Sequence, residues 1–197
     1  VTGASANVWT LNVSGQSWTA LSDISNSGTS LAAGQGFLVY VFADNNNDGT
    51  DDLPITLSVS GSENSGSATY PASGSIAADE YGLAGNPYYS TIDWDDVTKT
   101  NVTSTAYVWD DAASAYKSWN GSTGGLTNGL IAPFQGFWVQ ANNSGSGSIT
   151  IEAADKASSA GTFYRVSDMQ ESGSLSLTFT TADSKQDVAW FSFTEDG

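Results

Sequence analysis

The chain contains no cysteine and no histidine. Without cysteine there is no disulfide framework, thiolate nucleophile or thiolate metal site. Without histidine, Ser-His-Asp and Cys-His catalysis, imidazole zinc sites and the usual general base near neutral pH are also excluded. Only carboxylate chemistry is left to an enzyme. Positive charge is scarce as well: Lys and Arg number 5 against 21 Asp and Glu, a formal net charge of −16 over 197 residues. That sign repels phosphates and anionic headgroups, so no nucleic acid and no membrane surface is expected as a partner. No run approaches the roughly 18 apolar residues of a membrane span, so membrane insertion is not expected. The opening "VTGASANVWT" lacks the basic-then-apolar pattern of a signal peptide, so an exported protein would carry its signal upstream or have lost it.

What is present is apolar and strand-like. Hydrophobic residues make up 39% and aromatics 12%, enough to bury a core despite the abundance of Gly, Ser and Asn. The segments 36–43, 53–61, 105–111, 136–141, 148–154, 174–181 and 187–195 are rich in β-branched and aromatic residues, and most alternate apolar with polar. Clusters of Gly, Ser, Asn and Asp separate them, each a turn former. The most helix-like piece, 90–97, spans two turns at most. The pattern predicts an all-β chain of sandwich or jelly-roll-like build.

An internal repeat organises it. "NVWTLNVSGQSW" (7–18) aligns with "YVWDDAASAYKSW" (107–119), and "LAAGQGFLVYV" (31–41) with "LIAPFQGFWVQA" (130–141). Trp109, Gly136 and Phe137 follow Trp9, Gly36 and Phe37 by 100 positions. Two tandem related modules are therefore expected, 1–78 and 79–160, followed by a C-terminal pair of strands in 161–197. The first module lacks the leading segment that 79–101 gives the second. It would be completed by strand sharing, with neighbouring copies or with other domains of the same polypeptide.

"YGLAGNPYYSTIDWDD", "AYVWDDAASAYKSWNG", "GLIAPFQGFWVQA" and "FYRVSD" together resemble a module found near the carboxy terminus of large bacterial surface proteins of the type IX-secreted kind. The resemblance covers 79 to about 170 well and 1–61 more loosely. It implies an exported β-rich accessory or adhesive region, extracellular or at the cell surface, and it brings no catalytic residues with it.

The acidic loop "ADNNNDGTDDLP" (43–54) occurs in the first copy only. Asp44, Asn46, Asp48, Thr50 and Asp52 fall at positions 1, 3, 5, 7 and 9 of a calcium loop, with Thr50 acting through its carbonyl and Gly49 supplying the sharp turn. Position 12 is Ile55, so the loop joins two strands and is not an EF-hand. Ca2+ is the expected ion, pinning a hairpin and catalysing nothing. A second candidate is a sugar-stacking surface through Tyr88, Tyr89 and Trp94, set against the alternative that these rings close a core. Trp9, Trp109, Trp119 and Trp138 read as core. Gln35 and Gln135 read as backbone-bonding side chains. Asp93, Asp95, Asp96, Asp110 and Asp111 would have to supply any glycosidase pair, and none is singled out over turn capping. The resulting expectation is a non-catalytic structural or adhesive module of a surface protein or filament, stabilised by calcium. The alternative is a carbohydrate-binding accessory domain of a secreted enzyme, with glycans as the partner.

Overall fold

The structure is a computed structural model that describes residues 7–21, 31–40, 44, 48–51 and 62–164, together with the backbone of 174–180 and 186–192. Expected strand 53–61 lies outside these residues. The described strands are β1 (Val8–Asn12), β2 (Ser17–Ala20), β3 (Leu38–Val39), β4 (Ala68–Tyr70), β5 (Tyr81–Gly85), β6 (Ile92–Asp93), β7 (Thr98–Thr100), β8 (Val102–Asp110), β9 (Ala115–Trp119), β10 (Leu130–Ile131), β11 (Gly136–Ala141), β12 (Ser148–Ile151), β13 (Ser174–Thr180) and β14 (Gln186–Ser192). Among the described residues helix is confined to two single turns, Thr127–Gly129 and Ala153–Asp155. The chain is all-β, as its alternation predicts. The helix-like piece 90–97 is β6 followed by a turn.

The strands form antiparallel sheets in the orders β2-β1-β3, β5-β11-β8-β9, β4-β12-β7, β10-β6 and β13-β14. Contacts divide the chain into two compact units, one of Val1–Ala4, Val41–Glu63 and Ser167–Gly197, the other of Ser5–Tyr40 and Asn64–Val166. In the first unit β13 and β14 pair in register from Ser174↔Ser192 to Thr180↔Gln186. The second holds the core. Ala106, Val108, Phe137 and Val139 of the four-stranded sheet share one buried cluster with Tyr70, Ile149 and Ile151 of the three-stranded sheet, a sandwich-like arrangement. Tyr88, Trp94, Ile76 and Leu126 fill the remainder, and Trp94 meets Phe137 edge to face with ring centroids 5.8 Å apart. Because β4 pairs with β12, residue 78, where the repeat places a module boundary, lies inside this unit.

The first repeat copy also contributes to this unit, on the edge of β5 that β11 leaves open. Gly36 N–H donates to the Leu83 carbonyl at 3.1 Å, and Gly85 N–H donates to Gly34 at 2.9 Å. The side-chain amide of Gln16 donates to the Tyr81 carbonyl at 2.8 Å and accepts the Tyr81 N–H at 3.3 Å. The Tyr70 hydroxyl accepts the Leu83 N–H at 2.8 Å. An edge that would otherwise present bare backbone groups is thereby closed. Gly36 is required for the approach, since a Cβ there would stand 2.6 Å from the Ala84 carbonyl oxygen.

Candidate functional site

In the acidic loop, Asp44, Asp48 and Thr50 are described, whereas Asn46 and Asp52 lie outside the described residues. Asp44 accepts two backbone N–H groups, that of Asp48 on Oδ1 at 3.2 Å and that of Gly49 on Oδ2 at 2.8 Å. Asp48 Oδ1 accepts the Thr50 N–H at 2.8 Å. Gly49 has φ +87°, the left-handed conformation the calcium-loop pattern asks of it. These bonds wrap the loop around its own carboxylates. Among the described residues no three acidic side chains converge.

Tyr88, Tyr89 and Trp94 are not brought together as a platform. Tyr88 and Trp94 are fully buried, and a ring with no exposed face cannot stack on a sugar; Tyr89 alone reaches solvent. Their polar tips are used inside the fold. The Tyr88 hydroxyl donates to the Gly66 carbonyl at 2.8 Å, and Trp94 Nε1 donates to Ser104 at 2.6 Å. Lys99 lies over the Trp94 ring, 4.3 Å from its centroid, and donates to the Trp94 and Val97 carbonyls. Burial holds its amine below the ordinary lysine value, and the carboxylates of Asp95, Asp155, Asp93 and Asp96 pull it partly back.

The residue that sequence reasoning passed over in "GNPYYS" is Asn86. It is buried, and its amide donates to the carbonyls of Ser90, Ile131 and Ala132 at 2.9, 3.2 and 3.0 Å while its Oδ1 accepts the Tyr88 N–H at 3.0 Å. An Asn flanked by Gly and Pro in a turn was the available signal.

Four of the five carboxylates weighed as a glycosidase pair have structural partners. Asp95 accepts Trp119 Nε1 on both oxygens at 3.0 and 3.1 Å, and Asp93 caps the Asp95 N–H at 2.9 Å. Asp110 pairs with Lys117 at 3.5 Å, and Asp111 accepts Trp109 Nε1 at 3.2 Å. A cleft of about 430 Å³ runs between the β1–β2 turn, Gln35 and the 71–75 loop, and none of its lining residues is ionisable.

The rings that do reach solvent lie elsewhere. Val108 and Ala106 of β8 face the core, so strand alternation turns Tyr107 and Trp109 to the opposite side. Trp109, read from sequence as core, is in fact 43% exposed. Its cross-strand neighbour is Tyr116, and Tyr107 stands opposite Trp138, both pairs on the same outer face. Tyr81 joins from β5, its ring 6.5 Å from that of Tyr107. Trp18 of the first copy meets Trp138 edge to face at 5.9 Å.

Comparison with protein-family models, curated proteins and solved structures finds no match to this chain. Among the described residues no helix is long and apolar enough to cross a membrane.

Proposed function

We propose that the chain is a non-catalytic structural and adhesive module of an extracellular bacterial surface protein or filament, of the type IX-secreted kind its motifs resemble. In this reading 79–160 is the second jelly-roll-like module, which takes β4 and the core residues Tyr70 and Ile76 from the segment before it, 1–78 is a related copy that leans on it, and 161–197 is a C-terminal pair of strands that serves assembly. The observation that carries the proposal is the use made of the duplicated motif. Gln35 and Gln135 each donate to the carbonyl of the following glycine, at 3.1 and 3.0 Å, and both copies run against β5, one on each edge. The repeat is thus spent on backbone closure and core packing, which is what a load-transmitting module needs.

Calcium completes the proposal. Asp44, Asn46, Asp48, the Thr50 carbonyl and Asp52 would hold it, a hard cation taking an irregular shell of oxygens. Extracellular sites of this kind bind at about 10⁻⁴ to 10⁻³ M, so millimolar calcium adds on the order of 1 kcal/mol. For a chain of this size that raises Tm by about 2–4 °C. Thermal melts with calcium and with chelator, on the parent and on Asp48→Ala, test this part; a parent protein indifferent to calcium refutes it. Surface fractionation of the tagged full-length protein in its own host tests the setting, and retention in the cytoplasm refutes it.

A further inference from the structure

We infer that the outer face of the β5-β11-β8-β9 sheet is a binding site for a neutral polysaccharide chain. This deepens the adhesive part of the proposed function and rests on it. The face carries Tyr81, Tyr107, Trp109, Tyr116 and Trp138, extended by Trp18 from the first repeat copy. Trp109 and Tyr116 meet edge to face with centroids 5.0 Å apart and are 43% and 53% exposed; Trp18 and Tyr81 are 44% and 39% exposed. The rings run diagonally across four strands, three spacings of about 4.8 Å, so the row is about 14 Å long before side chains are counted. A monomeric soluble domain rarely leaves so many large rings on one face unless something lies on them.

The chemistry of the face selects the occupant. Its other outward residues are Thr105, Ser118 and Gln140, with Asp111 at the end of the row; its one aliphatic side chain, Leu83, is buried. Flat rings edged by hydroxyl, amide and carboxylate groups suit a sugar ring, whose C–H face packs on the electron-rich face of Trp or Tyr while its hydroxyls meet the polar rim. None of the described lysines serves this face: Lys99 is bound to the Trp94 carbonyl, Lys117 reaches Asp110 on the opposite side of β8 and β9, and Lys156 lies over Tyr88 and Tyr89. With a net charge of −16, acidic polysaccharides and nucleic acids are repelled, and two copies brought face to face repel each other. An uncharged chain meets none of these penalties.

Affinity electrophoresis of the whole chain tests this, with soluble hydroxyethyl cellulose, laminarin, mannan and starch as neutral probes and alginate as the acidic one. Retardation by at least one neutral probe and none by alginate is expected. Trp109→Ala and Tyr116→Ala should each weaken that binding by about ten-fold or more, as expected for a stacking anchor. Phe163→Ala, an exposed ring outside the sheet, should leave it unchanged. Both face variants replace half-exposed rings, and an unchanged Tm establishes that they fold. No retardation by any neutral probe, equal retardation by alginate, or parent-like binding by the two folded variants overturns the inference. So does a concentration-dependent dimer that Trp109→Ala abolishes, since the face would then be an interface between copies. Surface location and the calcium-dependent Tm are measured on the same protein. If they hold while glycan binding fails, only this inference falls.

Discussion

Phe37 and Phe137 occupy the same place in the repeat, yet Phe137 is fully buried and Phe37 is 50% exposed. The local backbone leading to them is the same. Gln35 N–H donates to Ala32 and Gln135 N–H to Ala132, at 3.0 and 3.2 Å, and the residue before each glutamine, Gly34 or Phe134, has positive φ. A short motif therefore dictates its own turn wherever it occurs, but it does not dictate burial. β11 lies between β5 and β8 and packs on the residues of β12, whereas β3 is two residues long and pairs with β1. Val139 and Val39 divide in the same way, buried and 42% exposed.

The largest effect should come from the pair that defines this contrast. Phe137→Ala removes a ring from the centre of the cluster, in contact with Trp94, and is expected to cost about 3–5 kcal/mol. Phe37→Ala should cost less than about 1 kcal/mol, because the half-exposed ring loses little burial. Urea denaturation of the two variants checks it. Equal losses would mean that the first copy buries its phenylalanine in solution as fully as the second.

The glycines reverse the order. A Cβ on Gly36 would meet Ala84 O at 2.6 Å and the Leu83 side chain at 2.7 Å, whereas one on Gly136 meets nothing closer than 3.9 Å. Gly36→Ala should therefore prise the first copy from β5 at a cost of about 2 kcal/mol. Hydrogen exchange should show it as faster exchange of the Leu83-bonded and Gly34-bonded amides, while Phe137 stays protected. Gly136→Ala should change stability by less than about 1 kcal/mol. A variant in which Gly36→Ala exchanges like the parent would show that the contact with β5 is not rigid.

The fold class was legible because alternation is a local signal: 136–141 and 148–151 are strands where their pattern places them, and 174–180 and 186–192 match the expected C-terminal pair. The all-β class and the backbone role of Gln35 and Gln135 follow from the same local chemistry. What was not legible is which face of a strand meets the core. In "AYVWDD" both faces of β8 are apolar, so Trp109 and Val108 compete on equal terms, and only the packing of Phe137 and Val139 beside Val108 and Ala106 decides between them. By the same limit "PYYSTIDW" reads as an exposed aromatic stretch, yet Asn86 draws Tyr88 inward by accepting its N–H, and the rings left outside are Trp109 and Tyr116. Short strands such as β4 and β7, three residues each, carry too few alternations to announce themselves.

The smallest effect concerns Asp155, in the stretch that follows β12 of the second copy. Its carboxyl is buried, and that burial raises its pKa above the ordinary 3.8; the Glu152 N–H, which donates to Oδ2 at 2.8 Å, opposes the rise, the Glu152 and Asp96 carboxylates add to it, and Lys99 opposes it. The folded protein thus holds this proton more tightly than the unfolded chain. The group's contribution to stability is complete below the ordinary carboxyl pKa and is lost as the pH rises through the raised value. Asp155→Asn keeps an oxygen for the Glu152 N–H and removes the titration. Its Tm relative to the parent should therefore be lowest in acid and climb as the pH rises through that window, levelling off above it. The rest of the −16 charge titrates equally in both proteins and cancels in the difference. A Tm difference that stays flat across the window, or one that falls with rising pH, would show that Asp155 is held as an ordinary or stabilised carboxylate, and that the region after β12 packs more loosely than its burial implies.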